Sequence, residues 1–168
     1  MRTLKFATSD KNQLHFSAAV RKNVNDYFKE KGIPQTANYA MVLQTIVMLS
    51  LYIVPFILIL TIPMNIWVAL GLVIVMGLGT AGIGMSVMHD AVHGSYSRKE
   101  WVNKMFGSSM YLLGSNVFNW KVQHNILHHT NTNIDGFDGD IDSKGPIRLS
   151  HSAPYKKFHR YQHLHAFF

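Results

Sequence analysis

Five of the chain's ten histidines fall into two short groups that share one spacing. His89-Asp90-Ala91-Val92-His93-Gly94 sets two imidazoles four residues apart. On a helix they stand on one face, a turn apart, where both rings can reach one metal. His124-Asn125-Ile126-Leu127-His128-His129 repeats the spacing and adds a third ring about 100° round the helix. Such a trio can address one metal with two rings and a second metal with the third. A lone H-x-x-x-H arises by chance on many helix surfaces, but five histidines in two such groups are hard to explain as packing. Neutral imidazole suits iron, zinc, copper or nickel. The chain has no cysteine, which excludes thiolate zinc sites, iron–sulfur clusters, cysteine nucleophiles and disulfide scaffolds together.

The elements that must position these rings are set by where charge is missing. No Lys, Arg, Asp or Glu occurs from Gly32 through His89. A soluble domain of 168 residues cannot keep so long an uncharged run off its surface, whereas a bilayer demands one. Residues 39–60 are almost wholly apolar and as a helix would reach about 33 Å, enough to cross a hydrocarbon core. Residues 66–88 repeat the pattern after the short uncharged turn Thr61-Ile62-Pro63-Met64-Asn65. Pro55 inside the first span is tolerated in lipid. Gly77, Gly79, Ala81, Gly82 and Gly84 offer a smooth strip for close approach of another helix.

Charge also orients the hairpin. Arg2, Lys5, Lys11, Arg21, Lys22, Lys29 and Lys31 precede the first span; Arg98, Lys99 and Lys104 follow the second; the connecting turn has none. Both ends, and with them both histidine groups, are therefore expected on the cytoplasmic side of a multi-pass protein. Residues 1–30 lack the apolar core of a signal peptide. Phe16, Val20, Val24 and Phe28 give residues 16–28 an amphipathic pattern that suits either a membrane-surface helix or one packed on the rest of the chain. The net charge of +7 suits nucleic acid or an anionic lipid surface, and with two spans the lipid surface is the expected partner rather than nucleic acid.

Shorter patterns fill in the rest. Gly94 reads as a helix stop. Ser97-Arg98-Lys99-Glu100 reads as a capping box for a helix whose stripe of Trp101, Val102, Met105, Phe106, Met110 and Leu113 lies in the interface. Asn119 reads as the N-cap of the second histidine group. Gly77-Leu78-Gly79-Thr80-Ala81-Gly82 matches a dinucleotide fingerprint, with Glu100 near the place of a ribose-binding acid. The apolar run before it has no place in that unit, so the glycines are assigned to a membrane helix. Asn131, Asn133, Asp135, Gly136 and Asp142 imitate a calcium loop with the wrong first and last residues. With Gly145-Pro146 downstream, this stretch is assigned to a polar loop. Lys144, Arg148, Lys156, Lys157 and Arg160 form a basic tail that suits an ordinary cytosolic loop, lipid headgroups or an acidic electron donor.

Together these features resemble the membrane fatty acid desaturases. His89-Asp90-Ala91-Val92-His93-Gly94 and His124-Asn125-Ile126-Leu127-His128-His129-Thr130 are similar to that family's first and second histidine boxes. Asn133-Ile134-Asp135-Gly136-Phe137-Asp138-Gly139-Asp140 resembles bacterial and front-end members acting on acyl-lipid or acyl-CoA chains. The resemblance implies a non-haem di-iron centre, dioxygen as co-substrate, a fatty acyl substrate, and an electron donor such as a ferredoxin or a cytochrome b5-type protein. No haem-binding cytochrome domain is expected at this N-terminus, so the electrons are expected from elsewhere. The resemblance also makes His89, His93, His124, His128 and His129 iron ligands and catalytic residues; Asp90 and Asn125, the nearest polar neighbours within the boxes, suit either orienting these rings or an ordinary place on a helix surface. The chemistry is coherent: an unactivated methylene has no acidic proton and no leaving group, so only a strongly oxidising centre can attack it.

The expected fold is all-α: an integral membrane helical hairpin followed by short interfacial and cytosolic helices that carry the histidine boxes. Residues 1–168 read as the N-terminal part of a desaturase domain, with a cytosolic amphipathic segment at 1–36, spans at 39–60 and 66–88, and the histidine-box region at 89–168. The family's third box, [HQ]-x-x-H-H, is absent. His159 and His163 repeat the four-residue spacing, with His165 following, but are not expected to ligate; His15 and His151 are isolated and expected to be exposed. Asn131 stands where many relatives carry an aromatic residue. Five ligands are too few for two irons and a defined oxygen site, so the 168 residues are expected to be a catalytically inactive fragment. The competing readings are a lipid hydroxylase or ketolase with the same boxes, a membrane metal-binding or transport protein, and a bis-histidine haem protein. Transport is disfavoured because no acid or histidine lies at mid-membrane. Haem is disfavoured because the first span has no histidine.

Overall fold

The computed structural model describes residues 11–142 and 147–166, and among them every regular element is helical, with no strand. Arg2, Lys5, Lys144 and the Gly145-Pro146 pair lie outside the described residues. The chain divides into two compact units, Met1–Leu113 and Gly114–Phe168.

The first unit opens with helix α1, Lys11–Lys31, whose Phe16, Val20 and Val24 are exposed along one stripe. Helix α2, Tyr39–Thr61, starts where Asn38 turns extended and its side chain accepts the N–H of Met41 at 3.0 Å. It runs unbroken through Pro55, which is buried. Asn65 starts the next helix in the same way, its Oδ1 accepting from Trp67 and Val68 at 3.1 and 3.0 Å. That helix, α3, is continuous over Ile66–Val92 and includes a π-helical stretch at Ile83–Met88. Both α2 and α3 are long and apolar enough to cross a membrane. Ile46, Phe56, Leu60, Ile74 and Leu78 lie exposed on them, an apolar surface that water would penalise and lipid accepts.

The glycine strip divides by contact. A Cβ on Gly79 would lie 2.7 Å from the backbone nitrogen of Tyr52 and 2.9 Å from the carbonyl carbon of Leu51, so only glycine permits this approach of α3 to α2. A Cβ on Gly82 would collide with the Met48 side chain, whereas one on Gly77 would meet nothing within 4 Å. The segment that imitates a dinucleotide fingerprint is thus helical, as its assignment to a span required.

The buried core gathers at the far end of α3, from Ile83, Val87, Met88, Ala91, Val92, Tyr96 and Met110. Tyr96 ties the unit together. Its hydroxyl donates to Thr45 Oγ1 at 2.9 Å, its carbonyl accepts from Ala37 at 3.0 Å, and its ring packs on Phe106 at 4.6 Å. The α3 helix ends as expected at Gly94, where φ is +75° and Ser95 N–H reaches back to Asp90 at 2.9 Å.

Helix α4, Glu100–Gly107, follows and tightens into a 3₁₀ turn at Ser108–Leu113. Its start corrects the expected capping box. Ser97 Oγ accepts from Lys99, the Glu100 side chain pairs with Lys104 at 2.8 Å, and Asn103 holds the Ser97 backbone from both sides. Of the expected apolar stripe, Met110 is buried while Trp101 and Met105 are exposed.

In the second unit, helix α5 opens as Val117–Trp120 and continues as the π-helical stretch Lys121–His128. Its cap is Asn116, which accepts from Phe118 at 2.8 Å and Asn119 at 3.3 Å; Asn119 is already inside the helix. A loop follows, and then a 3₁₀ turn at Lys157–Tyr161 leads into helix α6, Gln162–His165.

Candidate metal centre

Each unit presents one histidine group. In the first, His89 and His93 follow the π-helical stretch of α3, a distortion of the kind found at functional sites. Their rings lie 4.6 Å apart at 65°, and Asp90 Oδ1 is 3.2 Å from His89 Nδ1. The buried core underneath, Val87, Met88, Ala91 and Val92, fixes this turn. Close packing also holds Gly107, where a Cβ would stand 3.1 Å from Val92 Cγ2.

In the second unit three imidazoles cluster at the end of α5. His124 and His128 stack at 5.1 Å and 21°, and His129 meets them edge-on at 4.9 and 5.3 Å. Trp120 stacks on His124 at 4.2 Å. All three predicted rings therefore sit together. Asn125 is half-buried on the same stretch.

Two carboxylates that the sequence reading passed over complete this group. Nδ1 of His128 lies in hydrogen-bond reach of Asp138 Oδ1 at 2.9 Å, and Nδ1 of His124 in reach of Asp140 Oδ2 at 2.8 Å. Asp140 Oδ2 also lies 3.6 Å from His128 Nδ1. Asp138 is fully buried. Burial pushes its carboxyl up, but hydrogen bonds from His128 and from the backbone of Asn133 and Asp140 outweigh this and hold it below the usual carboxylate range. The loop makes that reach possible. Asn131 N–H and amide bond back to Leu127, Thr132 Oγ1 bonds His128 O, and Asn133 takes a left-handed φ of 62° that turns the chain.

Asn131 is buried against α5 and Asp138 faces a histidine. Among the described residues, His124, His128 and Asp140 form a group able to hold a metal ion, and neither His159 nor His163 belongs to any such group. His159 is instead buried, with Nδ1 accepting the N–H of Lys156 at 3.1 Å, while His163, His15 and His151 are exposed. Only the spacing of acids downstream of the second box hinted at Asp138 and Asp140.

A helical chain with two membrane-length apolar helices and imidazole clusters backed by carboxylates is a membrane-associated protein with groups able to hold a metal. The description "fatty acid desaturase" fits residues 63–168 as a family, and the chain belongs to that family. It is 35% identical to the sn-1 linoleoyl-lipid 6-desaturase of Arthrospira platensis over 91% of this chain and 42% of that one. It is 32% identical to the acyl-lipid (8-3)-desaturase of Physcomitrium patens over 97% of this chain and 34% of that one. To the sn-1 linoleoyl-lipid 6-desaturase of Synechocystis sp. it is 31% identical, over 89% and 42%. The chain thus spans between a third and a half of the length of these relatives. No solved structure gives a significant match.

Proposed function

We propose that this chain supplies the first membrane hairpin and five iron ligands of an oxidoreductase that introduces a double bond into a fatty acyl chain. The acyl group is carried on a lipid, the substrate class in the relatives' names. Dioxygen is the co-substrate, and an external donor such as a ferredoxin or a cytochrome b5-type protein supplies electrons. The observation that carries this reading is the trio His124, His128 and His129 with two of its rings backed by carboxylates, in a chain of this family.

The donor set suits iron: imidazoles, carboxylates behind them, and no thiolate. Two non-haem irons, when bound, supply the oxidising power that an unactivated methylene requires. The chain's own residues hold and orient. His89 and His93 ligate from the end of α3, where the buried core stops the turn from fraying. His124, His128 and His129 ligate from the end of α5. The apolar hairpin holds His89 and His93 at the membrane edge, within reach of an acyl tail on one side and a soluble donor on the other. Lys11, Arg21, Lys22, Lys29 and Lys31 before the hairpin, with Arg98, Lys99 and Lys104 after it, put both histidine groups on the cytoplasmic side.

Five imidazoles remain too few for two irons, so the 168 residues alone bind metal without forming a double bond. The test has two parts. The purified chain should carry non-haem iron, and His128→Ala should remove most of it while membrane insertion persists. A chimera that continues this chain with the C-terminal part of the Arthrospira platensis enzyme should add a double bond to host lipids, and His128→Ala should abolish it. Bound zinc with iron excluded, and unchanged lipids from the chimera, would overturn the proposal.

A further inference from the structure

We propose that Asp138 and Asp140 are positioning residues that fix the tautomer and the aim of two metal-binding rings, Asp138 acting on His128 and Asp140 on His124. This rests on the metal reading above and names what holds its ligands in place. The argument is one of proton bookkeeping. An ionised carboxylate only accepts hydrogen bonds, so the nitrogen facing it must carry the hydrogen. His128 Nδ1 lies 2.9 Å from Asp138 and His124 Nδ1 lies 2.8 Å from Asp140, so both rings hold their proton on Nδ1. A neutral imidazole binds metal through its other nitrogen, and Nε2 is therefore the ligating atom of both. The rings are stacked within 21° of parallel, so anchoring both Nδ1 edges on one loop turns both Nε2 edges the same way. Asp90, 3.2 Å from His89 Nδ1, repeats the device in the other unit.

The loop is built for this task. Asp138 has no exposure to solvent, and its carboxylate is itself held by the N–H groups of Asn133 at 2.7 Å and Asp140 at 3.0 Å. A side chain pinned at three points cannot follow a swinging ring; the ring must follow it. Asp140 is more open, its side chain 38% exposed, and it sits within 3.6 Å of both Nδ1 atoms.

Two readouts test this on the full 168-residue chain in detergent. Long-range proton–nitrogen spectra of the metal-free, histidine-labelled protein report tautomers directly. His124 and His128 should both carry hydrogen on Nδ1, and a ring carrying it on Nε2 would overturn the assignment for that residue. Cobalt(II) titration then measures affinity. Asp138→Asn and Asp140→Asn should each weaken binding roughly 10–100-fold, whereas Asp135→Asn, an exposed acid of the same loop, should leave it unchanged. Asp138→Asn could loosen the loop as a whole, so the tautomer spectra are also recorded on Asp138→Ala. His128 should lose its preference for Nδ1 there while His124 keeps its own, and an unchanged His128 tautomer overturns the positioning role. If His124→Ala and His128→Ala themselves leave cobalt binding intact, it is the metal reading that fails.

Discussion

Histidines of one chain are put to different uses by what surrounds their nitrogens. Those of the boxes present rings in clusters, with Nδ1 of His89, His124 and His128 on carboxylates. His159 is turned inward: Nδ1 accepts from Lys156, and Nε2 is buried with no hydrogen-bond partner among the described residues. Burial, and then the positive charges of Lys156, Arg148 and His165, depress its pKa below histidine's ordinary value. The sign follows. The unfolded chain binds this proton at a higher pH than the folded one, so below about pH 6.5 protonation favours unfolding. Thermal stability should therefore fall as pH drops through that window, and His159→Gln should make the fall shallower. Melting curves of the two proteins between about pH 7 and 5 check this, and parallel curves would refute it.

At the scale of elements, the hairpin depends on one close crossing more than on its glycine content. Gly79→Ala forces a methyl against the backbone of Leu51 and Tyr52, which cannot give way as a side chain could. We expect a loss of about 1–3 kcal/mol in hairpin stability, read as a lower melting temperature in detergent. Gly77→Ala, which meets nothing within 4 Å, should be neutral and serves as the control. The caps show why element boundaries were only partly legible. Asn38 and Asn65 border long apolar runs, which the sequence marks without ambiguity. Asn116 and Asn119 lie three residues apart with equal capping chemistry, and only the direction of the incoming chain selects the first. The π-helical stretches at Ile83–Met88 and Lys121–His128 leave no trace in a 3.6-residue pattern, because they rearrange the hydrogen bonds and not the side-chain types.

For the whole molecule, the topology inferred from basic residues makes a direct prediction. The chain has no cysteine, so single replacements report cleanly. Ser17→Cys and Ser152→Cys should react with an impermeant thiol reagent only when the cytoplasmic face is open, and Met64→Cys only from the opposite face. Labelling of all three from one side would sink the hairpin orientation. Two properties were already determined by the order of residues: an uncharged run long enough for two crossings, and imidazoles at a four-residue spacing, each a local feature that needs no partner elsewhere in the chain. The tertiary structure alone decided which glycine touches a neighbouring helix and which acids hold the rings. Asp138 and Asp140 stand ten and sixteen residues from the histidines they bind, across a loop whose left-handed turn at Asn133 brings them back. A hydrogen bond across such a loop depends on the path of the backbone, which residue types and spacing do not encode on their own.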